Sequence, residues 1–421
     1  MARTLTPRSA YALINAIADE ALGKNATIQA TNLADFVSVG ETILHSGIEN
    51  TLNALTMVIG KTIVAIRPYS AKIRLIQEED TGLYTSRLRK ISFYQKGAKE
   101  TGWVNTDVHT KNLYNGYDNG TNGGDSVGSM WEQDKPIAIE FNFGGSSVWD
   151  FEITFYEDQL KTAFRSPEEF ITFWNGTITS KMNDIEFGKE AFNRMNLLNY
   201  IAGIYDMSAS MKGSVVNLTA EYNAWYRTSY TSAQLLTTYL DSFLAFMVSE
   251  IKLYSDYLEE PTTNYHWNPT KTIDGVTYTD IIRHTPKADQ RLFLYSPIFK
   301  RAESLVLPQI FHPDYLDRPN GELVTYWQNQ NDRMAVSVTP SIPDVSDPSS
   351  QKTGTAVALE HVVAVLFDKD ALVTNFMYNG SDTTPLESRK KYRNTWYHNQ
   401  KNAINDFTEN GIIFIMKDPT P

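Results

Sequence analysis

Apolar positions along this chain change period several times, and each change marks a new element. Thr6 followed by Pro7 places a hydroxyl cap before a proline at the first helical position, which predicts a helix over 7–22. A second helical stripe begins at Phe36 and reaches Leu55, ending near Gly60. The run Thr62 to Arg67 predicts a buried strand that Pro68 stops. Between 84 and 150 the pattern differs in kind. It alternates weakly, carries many charges, and holds the Asn/Gly tract 115–128 between strand-like runs at Leu88 to Tyr94 and Ile137 to Phe143. This predicts a two-legged β excursion with a polar tip. Legs of ~20 residues would reach roughly 65 Å at ~3.3 Å per residue.

Ser166-Pro167-Glu168-Glu169 then opens a long helix with a capping box and proline at N1. Its stripe is Ile171, Trp174, Ile178, Met182, Ile185, Phe192 and Met195, about 30 residues or roughly 45 Å. Gly176 and Gly188 are the places where it is expected to bend. A second long helix is predicted from Thr231, capped through Gln234, with the stripe Leu236, Leu240, Phe243, Met247, Ile251, Tyr254 and Leu258. Mixed sequence follows: a strand over 291–295, a helix capped at Ser296-Pro297, and strands within 334–338 and 356–367. The stretch 340–354 reads as a surface loop, and 412–416 as a buried last strand. No internal repeat is present.

The chain has 421 residues, 42% hydrophobic and 21% charged, which excludes a wholly disordered polymer and allows two or three domains or one elaborated fold. A formal net charge of -11 argues against a protein built to grip nucleic acid. There is no cysteine, so disulfides, thiolate catalysis and Cys-ligated metal sites are excluded. The first residues lack the apolar core of a signal peptide. The most apolar stretch, 354–367, is interrupted by Glu360 and His361, so no membrane span is expected. These features place synthesis in a reducing cytoplasm.

Several motifs offer chemistry and fail on context. Gly124 to Gly128 matches a nucleophile elbow, but no buried strand leads into Ser126. The same tract sets Asp118, Asn122 and Gly123 at calcium-loop positions, yet Gly120 and Ser129 stand where ligands belong. Gly60-Lys61-Thr62 lacks the earlier glycine of a phosphate loop, since position 55 is Leu55. The seven histidines show no metal-ligand spacing, and His312-Pro313-Asp314 reads as a turn. No carboxylate pair stands out as a glycosidase pair. The reading is therefore no enzyme, no cofactor and no metal.

The order of elements is informative: an N-terminal arm, a long β excursion, a capped helix, a mixed block and a returning strand. It resembles the HK97-like fold of tailed-phage major capsid proteins. Val39 to Leu44 with Ile66-Arg67, Glu157 to Phe164, Ala364 to Asp370, and Tyr392 to His398 with the last strand are similar to stretches of capsid proteins from short-tailed phages of the phi29 type. The resemblance implies an α+β fold divided as 1–66 (N-arm and first P-domain strand), 67–160 (E-loop), 161–227 (P-domain with spine helix), 228–372 (A-domain) and 373–421 (return to the P-domain). It implies a shell subunit that forms hexamers and pentamers around phage double-stranded DNA, located in the virion. An acidic wall would let packaged DNA slide. The partners implied are copies of itself, a separate scaffolding protein (the arm leaves no room for a fused one), a portal protein and cement or head-fibre proteins. DNA would be touched only loosely. Candidate assembly residues in the E-loop are Arg87, Arg89, Lys90, Tyr94, Trp103, Tyr114 and Trp131. The competing readings are an encapsulin-type nanocompartment shell, a glycan-binding protein suggested by the aromatic content, and a carboxylate-based hydrolase.

Overall fold

The computed structural model describes residues 7–22, 29–45, 73, 76–80, 87–94, 137–144, 147–156, 163–273, 276–278, 281–305, 321–344 and 350–418. Its first elements are α1 (Pro7–Leu22) and α2 (Leu33–His45). The second helix starts earlier than its stripe suggests, because Asn32 caps it: the Asp35 amide donates to Asn32 Oδ1 at 3.0 Å. The expected strand 62–67 lies outside the described residues.

Next come β1 (Gln77–Asp80), β2 (Arg87–Phe93), β3 (Ala138–Gly144) and β4 (Ser147–Tyr156). As expected for an excursion, β2 and β3 pair antiparallel, from Arg87 opposite Gly144 to Phe93 opposite Ala138. The tract 115–128, with its elbow and calcium-loop matches, lies outside the described residues.

The long helix α3 runs Pro167–Asp206, 40 residues, with Ser166 accepting from the Glu169 amide as predicted. It is about 60 Å long at ~1.5 Å per residue, longer than its apolar stripe implies. The extra length comes from 196–206, where Leu197, Leu198, Tyr200, Ile201, Ala202 and Ile204 are all buried. A helix buried on several sides has no single stripe to read. Met195, assigned to the stripe, is instead 53% exposed.

After α3 follow β5 (Val215–Asn217), α4 (Leu218–Tyr226), α5 (Ser232–Thr237) and α6 (Leu240–Glu259). The single helix expected from Thr231 is thus two. The capping box of Thr231 and Gln234 is present, but the amides of Thr238 and Tyr239 both return to the Gln234 carbonyl and end the first helix. Tyr239 stacks on Tyr230 with ring centroids 4.0 Å apart, which holds the break. Phe243, Met247, Ile251 and Leu258 are buried as the stripe requires.

The remaining elements are β6 (Lys271–Ile273), β7 (Val276–Tyr278), β8 (Gln290–Tyr295), α7 (Ser296–Leu305), β9 (Gly321–Val324) and β10 (Val336–Val338). Then come β11 (Ser341–Pro343), β12 (Gln351–Thr353), β13 (Val357–Leu359), β14 (Val362–Asp368), β15 (Leu372–Thr383), β16 (Tyr392–Asn405) and β17 (Gly411–Ile415). The stretch read as a loop at 340–354 contains the β11–β12 antiparallel ladder. Three-residue strands rich in Ser, Pro and Gln carry too little apolar pattern to be seen in sequence.

Two main sheets organise the molecule. One has the order β1-β15-β16-β4, the other β5-β17-β14-β8-β9. The last strand therefore sits inside the second sheet, between β5 and β14, while Tyr392 to His398 belong to β16 in the first. Both β14 and β17 are buried along their whole length, which is why each reads as an unbroken apolar run.

Helix α3 packs on both sheets, touching β15 and β16 on one and β17 on the other. The approach is close at Gly203, where an added Cβ would stand 2.3 Å from Phe407 Cζ. One core lies around the second sheet. A smaller core joins Ile14, Ile17, Phe36, Val39 and Ile43 to Phe155, Phe164, Phe170 and Tyr397, fastening the N-terminal helices to the start of α3 and the β4 edge.

Candidate assembly site

Strand alternation gives the β2–β3 ribbon two unlike faces. On one face Lys90, Ser92 and Tyr94 alternate, opposite Phe141, Ile139 and their neighbours, and Ser92, Tyr94, Ile139, Phe141 and Phe143 are buried. On the other, Ile91 is 48% and Phe93 55% exposed. The inner face is docked on two segments of the same chain, 262–283 and 406–409. Phe141 meets Trp267 edge-on at 6.2 Å. The Tyr94 hydroxyl donates to the Pro269 carbonyl at 2.8 Å, and Lys271 Nζ donates to the Ala138 carbonyl at 2.5 Å.

The polar part of this root is a four-residue ion cluster. Lys90 pairs with Asp406, and with Glu409 at 2.5 Å. Arg283 donates to Ser92 Oγ at 2.8 Å and to the Thr408 carbonyl at 3.1 Å, and lies 3.5 Å from Glu409. Asp406 divides its oxygens. Oδ1 accepts from the Thr408 amide and hydroxyl at 2.9 and 2.6 Å, shaping the turn before β17, while Oδ2 faces Lys90.

The two carboxyls respond oppositely to burial. Burial alone would raise Asp406, but the Lys90 ammonium and the Thr408 donors hold it below its ordinary value. Glu409 lacks the Thr408 donors, and there burial wins over Lys90 and Arg283 and pushes the group up. For Lys90, burial opposes the charge, yet Asp406 and Glu409 together raise its pKa. Behind the cluster a line of hydrogen bonds runs from Asp368 through Thr285 and Asn410 to His266, which also meets the Ile281 carbonyl at 2.7 Å.

These observations revise two of the candidate residues. Lys90 and Tyr94 serve the root within their own chain, because strand alternation turns them to the docked face. Arg87 and Arg89 belong to β2, opposite Gly144 and Asn142 in register. Trp103, Tyr114 and Trp131 lie outside the described residues. Sequence reasoning missed Ile91 and Phe93, although their alternation with Ser92 and Tyr94 was the available signal. It also missed Arg283, Asp406 and Glu409, which have no local pattern and meet Lys90 only through the fold.

Among the described residues no group of three or more His, Asp or Glu side chains is arranged to hold a metal ion. No helix among them is long and apolar enough to cross a membrane.

The β ribbon is thus pinned at its root to its own chain and exposes Ile91 and Phe93 on its other face. The model of the phi29-like phage major capsid protein family matches residues 94–415, more than half of the chain. The chain belongs to that family, and it is a major capsid protein, a structural component of the virion that forms a shell. The element order is the one expected of the HK97-like α+β fold.

Among solved structures it is similar to the capsid of Staphylococcus phage Andhra, with 10% identity and a TM-score of 0.49 over 82% of this chain and 83% of that one. It is also similar to the mature capsid of bacteriophage PhiM1, with 9% identity and a TM-score of 0.42 over 84% and 89%. Comparison with curated proteins found no match. The nanocompartment and glycan-binding readings gain no support from these findings.

Proposed function

We propose that this chain builds an icosahedral or prolate shell from hexamers and pentamers, with the β2–β3 ribbon laid across an adjacent subunit. The observation that carries this reading is the exposure of Ile91 and Phe93 on a ribbon whose opposite face is buried and ion-paired to its own chain. A ribbon held at its root can present an apolar face at a defined place, and burying that face against a neighbour removes it from water. Arg87 and Arg89 in β2, with Trp103, Tyr114 and Trp131 further along the excursion, are the remaining candidates for this contact. The blocks 1–66, 67–160, 161–227, 228–372 and 373–421 are kept as working divisions, with β17 belonging to the same sheet as β14 and β8.

In this reading the chain has no catalytic role. It assembles in the host cytoplasm on a separate scaffolding protein, and a portal protein and cement or head-fibre proteins complete the head. Packaged double-stranded DNA meets an acidic protein and is not gripped. Negative-stain electron microscopy of the purified chain, alone and with a candidate scaffold, tests the arrangement. Closed shells, or rings of five and six, are expected with the scaffold. A monodisperse monomer under both conditions would overturn it.

A further inference from the structure

The sheet of order β1-β15-β16-β4 has one closed face and one open face. Side chains alternate along its strands, so Ile153 and Phe155 of β4 share the closed face with Arg393, Thr395 and Tyr397 of β16, and all five are buried. The open face carries Val148, Asp150 and Glu152 of β4, Trp396 and His398 of β16, and Asp382 of β15. Val148 is 57% exposed there, and the Asp382 side chain 80%. His398 shows that these residues share one face, because it reaches carboxylates on both neighbouring strands. Its Nδ1 lies 2.5 Å from Asp150 Oδ1 and its Nε2 3.4 Å from Asp382 Oδ2.

Register places two carboxylates beside one indole. Trp396 is directly opposite Asp382 on β15 and directly opposite Glu152 on β4. Side chains so placed have Cβ atoms ~5 Å apart. In the next rung of this face His398 stands opposite Gly380, which adds no side chain next to Asp382. The cations of these strands lie elsewhere. Arg393 and Lys401 are buried, with Lys401 over the Trp149 ring on the closed face. Arg389, Lys390 and Lys391 occupy the turn beyond Tyr392, two rungs of the open face away from Trp396.

We propose that the rung Asp382–Trp396–Glu152 receives an arginine side chain from an extended basic segment of a different protein. The π face of an indole attracts a guanidinium, and carboxylates on either side accept from its N–H groups. Arginine suits the rung better than lysine, because a planar guanidinium stacks and pairs at once while an ammonium is a point charge. Charge selects the source. With 49 Asp and Glu against 38 Lys and Arg the chain is acidic overall, and three carboxylates meet on this face around His398. The complement of such a surface is a partner of the opposite sign.

The test is fluorescence anisotropy of a dye-labelled peptide, acetyl-Ser-Arg-Ser-Arg-Ser-amide, titrated with the purified, unassembled full chain. The citrulline version of the peptide, similar in shape and uncharged, is the control. The arginine peptide is expected to bind about tenfold more tightly than the control, and Asp382→Asn, Glu152→Gln and Trp396→Leu are each expected to weaken it about threefold. Equal binding of the two peptides would overturn the proposal. So would unmodified affinity in the Asp382→Asn, Glu152→Gln double variant. Asp382 is exposed, so Asp382→Asn should keep the unfolding midpoint of the unmodified chain and decides the matter even if Trp396→Leu fails to fold. Assembled shells should bind the peptide as the subunit does. Loss of binding on assembly would show that another copy covers this face, and would overturn the assignment to a different protein. The first titration needs no shell, so a failure of the chain to assemble leaves it decisive.

Discussion

Asp406 shows how much one residue can do in this molecule. Its side chain is 3% exposed, one oxygen shapes the turn before β17, and the other neutralises Lys90 under the excursion. Removing Asp406 leaves Lys90 with Glu409 alone and takes the acceptor from the buried Thr408 amide and hydroxyl, so Asp406→Ala is expected to destabilise the fold by about 3 kcal/mol. The shift in the chemical denaturation midpoint measures this. The direction of each pKa shift sets the pH window. Asp406 is held below its ordinary value of 3.8, so its contribution is complete above that pH and is lost as pH falls through the depressed value. Lys90 is raised above 10.5, so its contribution is complete below that pH and is lost as pH rises through the raised value. The stability difference between the unmodified chain and Asp406→Ala should therefore be flat through neutrality and shrink at both extremes. None of this is legible locally, because Lys90 and Asp406 lie 316 positions apart.

Single elements reveal which sequence signals are dependable. Caps are: Ser166 before Pro167 and Thr231 with Gln234 both perform the roles their spacing suggests. The hydroxyl of Ser166 accepts from the Glu169 amide at 3.2 Å, so Ser166→Ala should cost about 1 kcal/mol, read from thermal or chemical unfolding. Ser166→Asp, which keeps an acceptor, should largely restore it. Continuity is less dependable. The stripe from Leu236 to Leu258 is real on both sides of the break at Tyr239, yet periodicity alone cannot distinguish one helix from two that share a buried face. The Tyr230–Tyr239 stack and the shared Gln234 carbonyl decide that break. Strands β15 and β16, though 12 and 14 residues long, escape a pattern search because buried positions of β16 include the polar Arg393, Thr395, Lys401 and Asn402, while Tyr392 and Trp396 are only partly buried.

At the scale of the whole molecule, the ribbon and the two sheets divide the work. The ribbon is fixed to its own chain by buried apolar side chains and the Lys90 ion pairs, and its other face exposes Ile91 and Phe93, which the proposed shell would cover. Phe93 is 55% exposed on that face. Phe93→Ser should leave the circular dichroism spectrum and unfolding midpoint of the subunit within about 0.5 kcal/mol of the unmodified chain, as for other exposed positions. Shell yield by electron microscopy should fall sharply. Normal shells from that variant would show that the outer face of the ribbon is not a contact.

What the sequence by itself determined was local: helix starts at their caps, the buried runs of β14 and β17, the antiparallel excursion, and a composition without cysteine. Those features depend on neighbouring residues and on the period of an element, which a linear chain displays directly. Only the tertiary structure decided which side of the ribbon faces its own subunit, which carboxylates meet Lys90, and that the last strand enters the sheet of β14 and β8. These depend on register and on contacts across hundreds of positions, where a shift of one residue turns every side chain to the opposite face.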